Sequence, residues 1–309
     1  IINATSFSSK GADGYSPLDI STAPIFQVAL STSNRKNWVD ACRGLSPTDL
    51  AMHVVLPEVD GKIFAGIVST KEATKKDQNL QYSRFIHSPL EERVKQISLK
   101  IHKWIKLQTK HKKEEVPKVA LVLSTYPGKK WQMAHAVGLD AIASAAAVAT
   151  DCSLTQFDLT NIPERLENEQ ILWPVASYRA ALSTLPNKLK NMLIKAWGEP
   201  EDDPDVVDNC FRFPAFREGL SLIALQPERG RPDIRDEEYH DLGRTPRHSY
   251  VAFYLWLQNE DIDAVIHMGA HGTLEWLPGK SVALSDECWP DALAGLMPFI
   301  YPFIVNDPG

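Results

Sequence analysis

Two rhythms of apolar positions run along the chain. Short aliphatic runs of strand length recur at residues 24–30 (PIFQVAL), 61–69, 118–124 (KVALVLS), 219–226 (GLSLIALQ) and 262–266 (IDAVI). Residues 1–5 read as a strand end, 53–57 as a further strand-like run and 299–305 as a last strand. Between them lie segments with helical spacing. The longest is 89–113, where Val94, Ile97, Ile101, Trp104 and Ile105 share one face and Lys and Arg take the others. Others are 38–43, a turn at 46–49 with Pro47 in first position, the alanine-rich 141–150, the stretch 175–197 broken or kinked at Pro186, and the aromatic 247–257. The loop at 198–208 is acidic and proline-rich and reads as exposed. Strands alternating with helices predict an α/β fold of largely parallel sheets flanked by helices on both faces. The length suits two α/β units. The first covers 1–115 with the helix 89–113, and the second covers 116–309.

The stretch 262–279, IDAVIHMGAHGTLEWLPG, stands out. Its apolar run reads as ending at His267. Gly269 and Gly272 then bracket His271, and Thr273 can cap a short turn carrying Leu274, Glu275 and Trp276. His267, His271 and Glu275 thus recur every four residues about the carboxyl end of a strand, where open α/β sheets bind ligands. Two imidazoles and a carboxylate suit a borderline divalent metal such as cobalt or zinc. They suit proton transfer near neutral pH equally well. Hydrogen-bonded loop histidines would give the same spacing.

A net charge of −6 offers no nucleic-acid footprint, and no apolar run approaches a membrane span. Cys42, Cys152, Cys210 and Cys288 form no CxxC pair and read as reduced thiols of a cytoplasmic protein. A GKK sequence occurs near residue 128, but GxxxxGK[ST] is absent, so no ATP site is expected on this chain. Glu58 and Asp60 read either as metal- or proton-handling groups or as solvated turn acids, the latter favoured for Asp60 by the Asp-Gly pair.

HMGAHGTLEWLPGKSVALS, followed by CWPDAL and YPFIVNDPG, closely resembles the large-subunit family of aerobic cobaltochelatase (CobN type). The H subunits of magnesium chelatase share the HGT-x-EWLPG core. RGLSPTDLAMHVVLPEVDGKI (43–63), the QP-x-RG turn at 226–230 and RHSYVAFYLWL (247–257) are similar to the same family, whereas His135 stands where it has Asn. The chain opens at Ile1 without methionine and stops at NDPG, where the motif normally runs on, so the expectation is a fragment of a longer subunit.

The resemblance implies insertion of Co2+, the substrate metal, into hydrogenobyrinic acid a,c-diamide, with ATP hydrolysed by partner ATPase and accessory subunits. A tetrapyrrole needs a cleft for its ring, donors for its peripheral carboxylates and bases for two departing protons. The candidates are His267, His271 and Glu275 for metal and protons, and Arg229, Arg231, Arg247, His248 and Trp276 for the substrate. Arg244, His240, Trp289 and Tyr301 are secondary. The alternatives are Mg2+ insertion into protoporphyrin and a noncatalytic tetrapyrrole carrier or scaffold.

Overall fold

The computed structural model describes residues 1–124, 140–152, 161–230, 241–269 and 273–302. The chain divides into two compact units, Ile1–Ile101 with Gly279–Ser285, and His102–Pro278 with Asp286–Gly309. The sequence expectation put the change near residue 115; here the units part inside a long helix. No helix among the described residues is long and apolar enough to cross a membrane.

The first unit is built on strands β1 (Ile2–Asn3), β2 (Phe26–Leu30), β3 (Ile63–Ala73) and β4 (Phe85–Pro89), in that order across one sheet. β1, β2 and β3 are parallel and β4 is antiparallel to β3. Helix α1 (Arg35–Asp40) starts at Asn34, whose side chain accepts from the Asn37 amide. Helix α2 (Pro47–Leu50) starts at Ser46 with Pro47 in the first turn, as its sequence predicts. Residues 53–57 are not a strand. A wide π turn over Ala51–Val55 runs into α3 (Leu56–Val59). Pro57 explains the irregularity: a proline inside a regular helix lacks a donor and its ring collides with the carbonyl four residues back. The core is small and centred on Ala29, Trp38, Val54, Ile67 and Ala283. Trp38 Nε1 donates to the Ala283 carbonyl at 3.0 Å, which fastens residues 279–285 to this unit.

Asp60 is not a solvated turn acid. Its carboxylate is buried and accepts from Ser8 Oγ (2.7 Å) and the Ser9 amide (2.7 Å), with Lys62 Nζ at 3.3 Å. Burial by itself would push this acid up, but the Ser8, Ser9 and Lys62 contacts outweigh it and hold the group at about 2.

Helix α4 (Glu91–Lys112) enters the second unit halfway along. Its basic end is not simply solvated: Lys110 Nζ meets Asp263 at 2.5 Å. The second unit continues through β5 (Val119–Leu123), α5 (Ala141–Asp151), α6 (Ile162–Asn168), β6 (Gln170–Pro174), α7 (Val175–Ser183) and α8 (Asn187–Trp197). Pro186 does break the predicted 175–197 helix, separating α7 from α8. Then come β7 (Val206–Val207), β8 (Cys210–Glu218), β9 (Ser221–Leu225), α9 (His248–Asn259), β10 (Ala264–Met268), α10 (Trp289–Ala294) and β11 (Phe299–Ile300). The sheet order is β11-β10-β5-β9-β8-β6, with β7 paired to β8. β11, β10, β5 and β9 are parallel; β8 runs antiparallel to β9 and to β6. The largely parallel α/β sheet therefore carries an antiparallel flank that its sequence did not announce.

Both faces of this sheet are covered. Val119, Leu121, Leu123, Ile223, Ile266 and Met268 face α5 and α6. The alternate positions Ala120, Val122, Leu222, Ala224 and Val265 face a larger core with the aromatic residues of α9. Every residue from 248 to 257 is buried, so α9 lies inside along all but its last two residues.

At the end of β10, Gly269 has φ +145°, and a side-chain carbon there would overlap Ser124 Oγ. Ser124 in turn donates its amide to the Met268 carbonyl at 2.9 Å. Gly269→Ala is expected to lower stability by about 2 to 3 kcal/mol, from the overlap and the disfavoured φ together, as read from urea unfolding. For Asp60, the folded-state value lies below the ordinary value of about 3.9, so its contribution is complete above that pH and is lost as pH falls through about 2. The melting-temperature gap between wild type and Asp60→Asn should therefore be widest at neutral pH and close as the solution is acidified.

Candidate functional site at the carboxyl edge of the second sheet

Parallel strands end on one side, and β5, β9, β10 and β11 deliver Ser124, Gln226, His267 and Tyr301 to that edge. His267 is the first departure from expectation. It does not follow the strand; it belongs to β10, pairs in register with Val122 and is only 2% exposed. Its parity with Val265 turns the ring toward the α9 side of the sheet. There it stacks on Tyr301, with centroids 5.2 Å apart and planes 10° from parallel. Tyr301 arrives because β11 pairs with β10 at Val265–Phe299 and Ile266–Ile300, so the next pair in register is His267 and Tyr301.

Thr273 precedes the 3-10 turn Leu274–Trp276 but its side chain does not cap it. Its hydroxyl lies 2.7 Å from the Tyr250 hydroxyl and accepts from Gln226 Nε2, which also donates to Tyr250 Oη at 2.9 Å. Glu275 is exposed at the edge. Burial first, and the Glu275 charge second, push the Tyr301 phenol far above its ordinary range. Tyr250 and Tyr254 are raised as well, chiefly by burial, with Glu275 adding to both. Three phenols therefore stay protonated in the neighbourhood of one carboxylate.

The substrate candidates separate. Arg229 is buried, and its Nη1 donates to the Trp276 carbonyl at 2.5 Å, beside the same turn. Trp276 is half-buried. Arg247 points elsewhere: it is buried against Asp203 (3.0 Å) and pairs with Asp205. Asp203 belongs to the 198–208 stretch expected to be exposed, yet it is buried under this ion pair and also accepts from the Ser249 amide at 3.0 Å. His248 faces the same way. Its ring bonds the Tyr178 hydroxyl (2.7 Å) and the Gly198 carbonyl (3.1 Å), and burial lowers its pKa. A cavity of about 350 Å³ opens here, lined by Trp197, Asp202, Asp203, Arg247 and His248. His248 and Tyr250 diverge because positions two apart on a helix lie on different faces. Trp289 is fully buried core. His271, Arg231, His240 and His135 lie outside the described residues.

The structure thus gathers His267, Glu275, Arg229, Trp276 and Tyr301 about one edge and sends Arg247 and His248 to another place. Among the described residues, no three His, Cys, Asp or Glu side chains form a metal cage. An imidazole on a strand and an exposed carboxylate nearby remain a donor pair of the type a borderline metal accepts. Gln226 is not among the sequence candidates; its signal is an amide placed directly after the aliphatic run of β9.

Comparison with known proteins places this architecture. The CobN/Magnesium Chelatase family model matches residues 1–309. The aerobic cobaltochelatase subunit CobN of a Sinorhizobium species is 36% identical over the whole chain, which covers 26% of that protein. The corresponding subunit of Pseudomonas aeruginosa is 37% identical over 93% of the chain and 24% of its own length. A magnesium-chelatase subunit ChlH from Oryza sativa is 26% identical over 92% of the chain. The solved catalytic subunit of cobaltochelatase from Mycobacterium tuberculosis superposes with a TM-score of 0.82 at 30% identity, over 99% of this chain and 28% of that one. The chain spans about a quarter of the length of the cobaltochelatase relatives it matches.

The ion pair yields a direct test of what Arg247 does. Asp203→Ala would leave the Arg247 guanidinium with Asp205 alone of its two aspartates and take the acceptor from the Ser249 amide, at a cost of about 1 to 3 kcal/mol. A much lower midpoint in guanidinium unfolding is expected; an unchanged midpoint would mean that Arg247 is not held there for the fold.

Proposed function

The chain belongs to the CobN/magnesium chelatase family, and from that premise we propose that it forms part of the tetrapyrrole-binding, metal-inserting subunit of a cobaltochelatase. The reaction assigned is insertion of Co2+ into hydrogenobyrinic acid a,c-diamide on the aerobic route to cobalamin. Partner subunits hydrolyse the ATP, and this chain supplies the insertion edge.

The observation that carries the reading is the stacking of His267 on Tyr301 at the carboxyl edge of the sheet, followed in the chain by the turn that carries the exposed Glu275. Two pyrrole N–H protons leave as the metal enters the ring. Imidazole and carboxylate are bases suited to accept them near neutral pH. On this reading His267, His271 and Glu275 offer Co2+ its transient ligands and take up those protons. Glu275 stands exposed, as a group meeting an incoming macrocycle must. Arg229, which already brackets the turn at Trp276, and Arg231 are the proposed contacts for peripheral carboxylates. The half-buried Trp276 is the proposed contact for the ring face. Arg247 and His248 are withdrawn from this role, because their polar atoms are engaged with Asp203, Asp205, Tyr178 and Gly198.

Magnesium insertion into protoporphyrin is the second reading, since a magnesium-chelatase subunit is 26% identical over 92% of the chain. Cobalt is favoured by the higher identity to the cobaltochelatase subunits, 36 to 37%. The paired histidines favour it too, because Mg2+ prefers oxygen ligands.

The test is Co2+ insertion by the whole subunit with its ATPase partners, with tetrapyrrole binding followed separately by absorbance titration. His271→Ala and Glu275→Ala are each expected to slow insertion by about 10²- to 10⁴-fold, the range for loss of a positioned base, while still binding tetrapyrrole. Insertion at the normal rate would remove these residues from the site. Binding without any insertion by the wild-type assembly would favour the carrier role.

A further inference from the structure

We infer that Gln226, Tyr250 and Thr273 form a hydrogen-bonded lock that positions Glu275 for the insertion step; the inference rests on the function proposed above. The three residues come from three separate elements: the end of β9, the first turn of α9 and the turn that follows β10. Gln226 Nε2 donates to both hydroxyl oxygens, and the hydroxyls of Tyr250 and Thr273 are themselves 2.7 Å apart. Every pair in the triangle is bonded. The amide NH2 and the two hydroxyls supply the protons of the triangle.

The anchor side is rigid. Tyr250 is fully buried on a helix that is itself buried along residues 248–257, and Gln226 extends β9, its amide donating to the Leu123 carbonyl at 2.9 Å. Thr273 is the third member and immediately precedes the turn Leu274–Trp276. A threonine at the N-cap position commonly caps its own turn. Here it is diverted sideways into the lock, which ties the turn to the sheet and to α9. On the far side of Glu275, the Trp276 carbonyl accepts from Arg229 Nη1 at 2.5 Å. Glu275 is therefore an exposed side chain on a backbone tethered just before it and just after it. Hydrocarbon side chains could fill the same volume, but they would not set the direction of the turn; hydrogen bonds do. Burying polar groups is costly unless they bond one another; here the Gln226 amide nitrogen and both hydroxyls do so, while Gln226 Oε1 is buried without a hydrogen-bond partner.

Tyr250 and Thr273 are thus positioning residues that act through Glu275. Tyr250→Phe and Thr273→Val each delete one hydroxyl with little change of shape, Thr273→Ser retains it, and Glu275→Gln removes the charge. These, and the double variant Tyr250→Phe/Glu275→Gln, are assayed in the whole chelatase subunit with its ATPase partners. The readouts are kcat, KM for Co2+, tetrapyrrole Kd by absorbance titration, and amide exchange of residues 274–276 in the same preparations. Tyr250→Phe and Thr273→Val are expected to lower kcat by about five- to tenfold, the scale of one lost hydrogen bond. Exchange at 274–276 should quicken by a similar factor, with tetrapyrrole Kd unchanged and Thr273→Ser near wild type. The double variant should be no slower than Glu275→Gln alone, because both changes disable one group. Losses that multiply in the double variant, or a weakened tetrapyrrole Kd at unchanged kcat, would overturn the lock. A slow Glu275→Gln beside unaffected Tyr250→Phe and Thr273→Val would overturn the lock and leave the proposed function standing. Normal insertion by Glu275→Gln would sink both.

Discussion

The second unit depends on one constraint: four parallel strands, β11, β10, β5 and β9, must end together. Parallel pairing places each carboxyl end beside the next, so residues distant in sequence arrive at one edge without any loop having to reach for another. The spacing is tight enough that the chain leaving β10 passes against Ser124 with room only for glycine. Gly269 is thus a packing requirement as much as a turn residue. Because His267 is still inside the ladder, its ring is oriented by strand parity and not by loop geometry. That is a more rigid mounting than the sequence suggested.

Several buried polar groups among the described residues are paired with one another. Asp203 is paired with Arg247, Asp60 is paired with Lys62 and hydrogen-bonded by the Ser8–Ser9 segment, and His248 is hydrogen-bonded to Tyr178 and Gly198. Each arrangement uses up the functional capacity of its members, since a buried charge must be paired where it stands. The edge around Glu275 differs. Its phenols are pushed up chiefly by burial, with the Glu275 charge adding to each, and Glu275 itself is exposed.

Much of the architecture could be read from the chain. The aliphatic runs at 118–124, 219–226 and 262–266 became β5, β9 and β10, and Pro47 and Pro186 set helix boundaries where their missing donors required them. The misreadings have separate physical causes. Residues 53–57 look like a strand because aliphatic side chains are common to buried strands and buried helices, and periodicity over five residues cannot separate them. The antiparallel β8 was hidden in FRFPAFRE, where a central proline argues against a strand, yet Pro214 pairs with Gln170 of the short β6.

The sequence by itself determined the family, the α/β class, the motif and the candidacy of His267, His271 and Glu275, because these depend on residue order alone. Tertiary structure alone decided which arginine and which histidine stay near the edge. Arg229 and Arg247 are equivalent in composition and loop position, but one reaches the Trp276 carbonyl and the other meets two aspartates from a stretch some forty residues earlier. The reason is physical: a long cationic side chain is directed by the nearest unsatisfied acceptor in space, and the distance to that acceptor is set by how the sheet and α9 pack, which no local pattern encodes.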